Sequence, residues 1–141
     1  MIIFFSPSES KNKFDEYGSI CKESFIFQDL YEKRLEAVNI YNEYVNSHSA
    51  DMLLDIFSIK DIEEIKEYQK NIFEEATCTA IKRYSGVSYS YLAYDSLNKN
   101  AKDYILNNVI IFSNIFGPVS AQDQIPYYKL KQGAKIGSFA F

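Results

Sequence analysis

Two short runs, residues 1–5 (MIIFF) and 109–112 (VIIF), are continuous in β-branched and aromatic side chains and read as strands buried on both faces. Pro7 closes the first, because proline has no N–H to give to a ladder. Between them the apolar period changes. Tyr31, Leu35, Val38, Tyr41 and Val45 recur at helical spacing, and Asp29 followed by Glu32 has the form of a capping box, so a helix is expected to run to about Asn46. A shorter helical piece follows around Asp51 to Phe57. Ser58 reads as the cap of a second helix with Asp61 in its first turn and Ile62, Ile65, Ile72, Phe73 and Ala76 on one face. Residues 77–84 favour extended structure and predict a strand that ends at Ser85-Gly86; residues 87–94 have no dominant period. A helix over 98–108, with Leu97, Ala101, Tyr104 and Ile105 inward, leads into the second apolar run. From Ser113 onward Gly and Pro punctuate the chain, which predicts loops with short extended pieces. The sum is a mixed α/β (α+β) fold over residues 1–141 as a single domain, with short buried strands and helices packed on them.

Composition narrows the class. At 47% hydrophobic and 24% charged the 141 residues suit a globular domain, and 12 Tyr and 11 Phe beside no Trp make its surfaces rich in rings with a polar tip. The net charge of −4 conceals a gradient: residues 1–76 hold 8 Lys or Arg against 16 Asp or Glu, whereas residues 77–141 hold 7 against 3. The basic second part can receive a polyanion, although solvated surface charge gives the same count. Cys21, Cys78 and the single His48 have no metal-ligand or disulfide spacing, so no metal and no cofactor is expected. The opening apolar run is too short for a signal segment, no stretch is long enough for a membrane span, and a cytoplasmic protein is expected.

Candidate chemistry sits just beyond the three predicted strands, in Ser6 to Lys11, Lys82 to Gly86 and Ser113 to Lys129. Loops at the carboxyl ends of strands converge in open sheets, so these clusters are expected to share one crevice. There Glu9 can serve as a general base or orient a hydroxyl, and Lys11, Lys82, Arg83 and Lys129 can offer charge to phosphate oxygens. Sequence spacing alone favours the plainer reading of Glu9 and Lys11 as exposed turn residues. Ser6 and Ser8 lack the setting of a catalytic nucleophile, the five glycines form no phosphate loop, and Cys78 reads as a small core residue.

Three segments in order carry a family resemblance. IIFFSPSESK (residues 2–11) resembles the opening of the YaaA family of bacterial peroxide-stress proteins, a hydrophobic strand followed by Ser-Pro-Ala-Lys or Pro-Pro-Ser-Glu-x-Lys. AIKRYSGVSYSYL (80–92) resembles its segment leading to Gly-Val-x-Tyr. VIIFSNIFGPVSAQDQIPYYKLKQG (109–133) resembles its Ser-Gly-Leu-Tyr-Gly-x-x-Arg-Pro-x-Asp-x-Ile-Pro-x-Tyr-Arg-Leu stretch. Asn114 stands where the family has a Gly, Ser120-Ala121 replaces Arg-Pro, and Lys129 replaces an Arg, which keeps charge but removes the planar fork. The resemblance implies a cytoplasmic protein of the peroxide-stress response, tied to restraint of iron, that binds DNA through a basic cleft with a helix-hairpin-helix-like element. It also implies that the chain is the N-terminal part of a longer protein, hence truncated. On that reading Ser6, Ser8, Lys82, Arg83, Tyr84, Gly86, Asn114, Gly117, Tyr128 and Lys129 are the nucleic-acid or ligand-binding residues. Lys131 and Lys135 add phosphate contacts, and Tyr84, Phe116 and Tyr128 offer rings for base stacking. Two alternatives remain: an enzyme acting on a nucleotide or modified base, with Glu9 as acid/base and Lys11 and Asp123 orienting substrate, and a scaffold fragment that needs a missing half.

Overall fold

The computed structural model describes residues 1–141 and is mixed α/β. Helix α1 (Tyr31–Ser47) follows a 3-10 turn over Gln28–Leu30, and buries Ala37, Val38, Tyr41 and Val45 at the spacing the sequence shows. Helix α2 (Ala50–Phe57) buries Leu53, Ile56 and Phe57, so Tyr41 and Phe57 meet ring to ring at 6.5 Å. Three small sheets pack near these helices. Strand β1 (Ile3–Phe5) pairs in parallel with β3 (Val109–Ser113), which pairs antiparallel with β4 (Gly117–Ser120); β2 (Thr77–Thr79) pairs antiparallel with β5 (Gln124–Pro126); β6 (Lys135–Ile136) and β7 (Phe139–Ala140) form a hairpin.

A buried arginine joins the two halves of this architecture. Arg34 of α1 donates from Nε to the Phe116 carbonyl (2.9 Å), from Nη1 to that of Phe27 (2.6 Å) and from Nη2 to that of Pro118 (2.8 Å), with its guanidinium over the Phe25 ring. All three contacts go to the β3–β4 turn or the entry of α1, so the register of helix on sheet is fixed by directional bonds as well as by apolar contact. Asp123 does a similar service nearby: its carboxylate accepts from the Ile26 N–H (3.0 Å) and the Ser120 N–H (2.9 Å). Burial pushes the Asp123 carboxyl up to about 6, against the pull of those two donors and of Arg34.

Several local expectations are revised. The run at 1–5 is an edge strand beside β3 with Ile2 and Phe4 largely exposed, not a strand buried on both faces, because nothing packs over this end of the sheet's outer face. The capping box at Asp29 does not form; Leu30 occupies the cap position without a side-chain bond. Ser58 ends α2 in the left-handed region (φ 53°) instead of starting a helix, and Asp61 is the residue that caps, accepting from the Glu63 N–H. The long second helix shrinks to a 3-10 turn and α3 (Ile65–Tyr68), because tertiary bonds compete for its backbone and side chains. Gln69 donates to the Val45 and His48 carbonyls at the end of α1, and Asn42 accepts the Ile72 N–H. The predicted strand 77–84 is strand only to Thr79 and continues as α4 (Ala80–Arg83). Residues 87–92 form α5 (Val87–Leu92), bounded by Gly86 at φ 117° and Ala93 at φ 46°. Helix α6 (Lys99–Asn108) is as expected, with Asn98 accepting the Ala101 N–H, but Tyr104 faces out. Cys78 is buried, as a core residue should be. No helix is long and apolar enough to cross a membrane.

Candidate functional site

The loop that leaves β1 turns back against α4 because its backbone is claimed there. Asn12 N–H donates to the Arg83 carbonyl (2.7 Å), Ser85 N–H donates to that of Ser10 (3.0 Å), and Lys11 faces Tyr84 in an isolated antiparallel bridge. The first two polar clusters are thereby stitched together. Gly86 sits where they touch: its φ of 117° suits glycine, and a Cβ there would lie 3.0 Å from the Ser8 hydroxyl.

The third cluster arrives through β3 and the irregular segment that follows β5. The Tyr128 hydroxyl meets those of Tyr84 (2.9 Å) and Ser113 (3.0 Å) and donates to Asn114 Oδ1 (3.0 Å). Ser113 Oγ in turn accepts the Ile115 and Phe116 N–H groups, closing the β3–β4 turn in which Gly117 takes φ 70°. Asn114, where the family has a Gly, keeps an ordinary negative φ, and its amide donates to the Leu130 and Lys131 carbonyls. The result is a buried chain of polar groups in which every hydroxyl has a partner.

Lys11 lies on this chain. Its ammonium stands 4.2 Å from the Tyr128 ring centroid and 5.4 Å from that of Tyr84, and donates to the Ser8 (3.2 Å) and Glu9 (3.1 Å) carbonyls. Two rings and two carbonyls hold a cation well, yet desolvation outweighs them. Burial first, then repulsion from Lys129, lower the Lys11 amine to about 7, and the Glu9 carboxylate only partly opposes this. Lys129 makes no ion pair in the structure. Glu9 is occupied on its other side, where Oε1 accepts the Gln132 N–H at 2.8 Å.

The structure thus brings together Ser8, Glu9, Lys11, Tyr84, Gly86, Asn114, Tyr128 and Lys129, while Gly117 and Ser6 stand at the margin. The Ser6 carbonyl accepts from Tyr89 at 2.6 Å and its side chain is exposed. Other expected members are elsewhere or otherwise engaged. Arg83 is wholly buried and its guanidinium is spent on the Asn12 and Ile125 carbonyls. Asp123 is the turn clip described above, outside this cluster. Lys82 pairs with Glu16 (3.4 Å), and Lys131 with Asp55 (2.6 Å). Tyr84, Tyr128 and Phe116 are buried, so their faces are not free for base stacking. Sequence reading did not single out Ser113 as a site residue, although its place at the carboxyl end of β3, inside the third cluster, marks it. A cleft of about 320 Å³ shares Tyr84 and Gly86 with this site and is lined also by Asn12, Lys82, Tyr89 and Tyr94. No group of three His, Cys, Asp or Glu side chains is placed to hold a metal ion.

Comparison with known proteins agrees over the whole chain. The family model for the peroxide stress protein YaaA matches residues 1–140. An uncharacterized protein of Campylobacter jejuni is 46% identical over 140 residues, covering 99% of this chain and 57% of its own length. UPF0246 proteins of Lactobacillus helveticus and Corynebacterium efficiens are 32% and 31% identical, covering 85% and 96% of this chain and 48% and 53% of their own lengths. The chain spans about half the length of the curated relatives it matches.

Proposed function

The chain belongs to the YaaA family of peroxide stress proteins, and from that premise we propose that it serves the peroxide-stress response by binding DNA, with Lys11 and Lys129 as its phosphate contacts. The observation that carries the reading is the pairing of two lysines without a matching pair of carboxylates. Lys129 has no anionic partner, Lys11 is lowered first by burial and then by Lys129, and a phosphate between them would cancel the repulsion and compensate the buried charge. The Ser8 hydroxyl and the backbone at Gly86 offer uncharged donors and close approach on the same surface. Arg83 and the buried tyrosines belong to the framework of the site and take no part in contact.

The test is binding of a labelled oligonucleotide followed by anisotropy across a salt series. Affinity should fall steeply with salt, and Lys129→Ala should reduce the log–log slope by about one, the loss of one phosphate contact. Affinity that is flat between low and moderate salt refutes the proposal. A second reading has its own support: an amine poised near neutrality beside Glu9 suits proton transfer on a nucleotide or modified base. It proceeds without Asp123, which is too engaged at its turn to orient substrate. Under it, Glu9→Gln leaves folding intact and abolishes turnover of a nucleotide substrate; an unchanged rate removes Glu9 from the chemistry.

A further inference from the structure

The β1–β3–β4 sheet has one finished face and one unfinished. On the inner face Ile111 and Val119 are wholly buried against the core. Strand alternation and the pairing register put Ile2, Phe4, Ile110, Phe112, Pro118 and Ser120 on the outer face. Helix α6 covers one end of that face, where the Ser120 hydroxyl donates to the Leu106 carbonyl and Ile110 is buried. Nothing covers the other end. Ile2 is 67% exposed, Phe4 68% and Phe112 49%, and the Phe4 and Phe112 rings lie against each other at 5.3 Å.

The edge of the same sheet is open too. Strand β1 pairs with β3 on one side only, and residues 2–5 make no further backbone hydrogen bond outside that ladder. Folded proteins guard such edges with charge, proline or a bulge; MIIFF has none of these before Ser6-Pro7. A bare aromatic pair beside an unguarded edge strand has the character of an interface interior.

We propose that this edge and face are the seat of a polypeptide equivalent to the part of the longer relatives that this chain does not match, which adds a strand beside β1 and lays apolar side chains over Ile2, Phe4 and Phe112. The length argument selects this occupant. The relatives carry roughly as much chain again as they share with this one, which is ample to supply a strand and an apolar cover. A polypeptide docked here also lies on the strand that feeds the Ser6–Lys11 loop, so it abuts the Lys11 site without belonging to it. The inference is independent of what that site binds.

The test uses thiol labelling in a Cys21→Ser background with Phe112→Cys, and Phe4→Cys as a second reporter on the edge strand. Cys78, which is wholly buried, reports folding within the same molecule by staying unreactive. In the chain alone each reporter should react with a small maleimide at about the rate of an unfolded peptide thiol. Copurified with, or fused to, the unmatched part of the Campylobacter jejuni relative, each should slow by about a hundredfold or more, because reaction then requires local opening. Equal rates with Cys78 silent overturn the proposal. So does protection in the chain alone that grows with concentration, which would make a second copy the occupant.

Discussion

Arg83 gives the sharpest division between framework and contact. Its side chain has no exposure, touches no carboxylate, and donates to two carbonyls: twice to Ile125 (3.3 and 3.2 Å) and once to Asn12 (2.7 Å). These bonds join β5 to the loop that carries Lys11. Hydrogen bonds from a charged donor contribute about 1.5–3 kcal/mol per partner, so truncating Arg83→Ala should cost about 3–6 kcal/mol, a large part of a stability of ~5–15 kcal/mol. Arg83→Met fills most of the volume and removes the burial of a charge, which offsets part of the loss, and should cost about 2–3 kcal/mol. With a urea m-value of about 1–3 kcal/mol/M, the Met variant should lower the unfolding midpoint by ~0.7–3 M. Assayed without urea, where that variant is still folded, its oligonucleotide affinity and salt slope should match the parent. A Met variant within about 0.5 kcal/mol of the parent, or a salt slope reduced by about one, would refute the reasoning and return Arg83 to the binding surface.

Two further outcomes follow from the same geometry. Gly86→Ala must hold a Cβ at φ 117° and 3.0 Å from the Ser8 hydroxyl, so it should cost about 1–3 kcal/mol in urea unfolding and weaken oligonucleotide binding; Gly117→Ala carries the backbone strain of φ 70° but meets no neighbour, so it should cost less and leave binding unchanged. Lys11 is lowered to about 7 in the folded chain against 10.5 unfolded, so between these values the unfolded state holds more protons and stability rises with pH, by at most about 1.4 kcal/mol per unit. Relative to Lys11→Met, the parent should therefore gain stability from pH 7 to pH 9, and parallel curves would show that Lys11 titrates normally.

How much of this was legible in the sequence depends on whether local pattern or tertiary partner decides a segment. The α1 stripe was readable because Val38, Tyr41 and Val45 share one face whatever packs on it. The break after Tyr68 was not, since the bonds of Gln69 to the end of α1 are non-local. Helices α4 and α5 hide behind β-branched and aromatic residues, and only Gly86 hints at the boundary. The MIIFF run announced a strand but not that half of it stays uncovered. The first and third clusters do follow β1 and β3 of one sheet, but the second lies past β2 of another sheet, at the end of α4, and is brought in by the Asn12–Arg83 and Ser10–Ser85 backbone bonds; the inward turn of Arg83 and the placement of Asp123 were not readable either, because a charged residue's burial depends on carbonyls and amides supplied from elsewhere.

The proposed function needs Lys11 and Lys129 to share one anion-seeking surface. Titration of the Lys11 ammonium by NMR, with and without a short oligonucleotide and in the Lys129→Ala variant, tests it directly. The midpoint should lie near 7 in the free chain, rise when Lys129 is removed, and rise further on oligonucleotide binding. A midpoint at the ordinary lysine value, or one that neither Lys129→Ala nor the oligonucleotide moves, would contradict it.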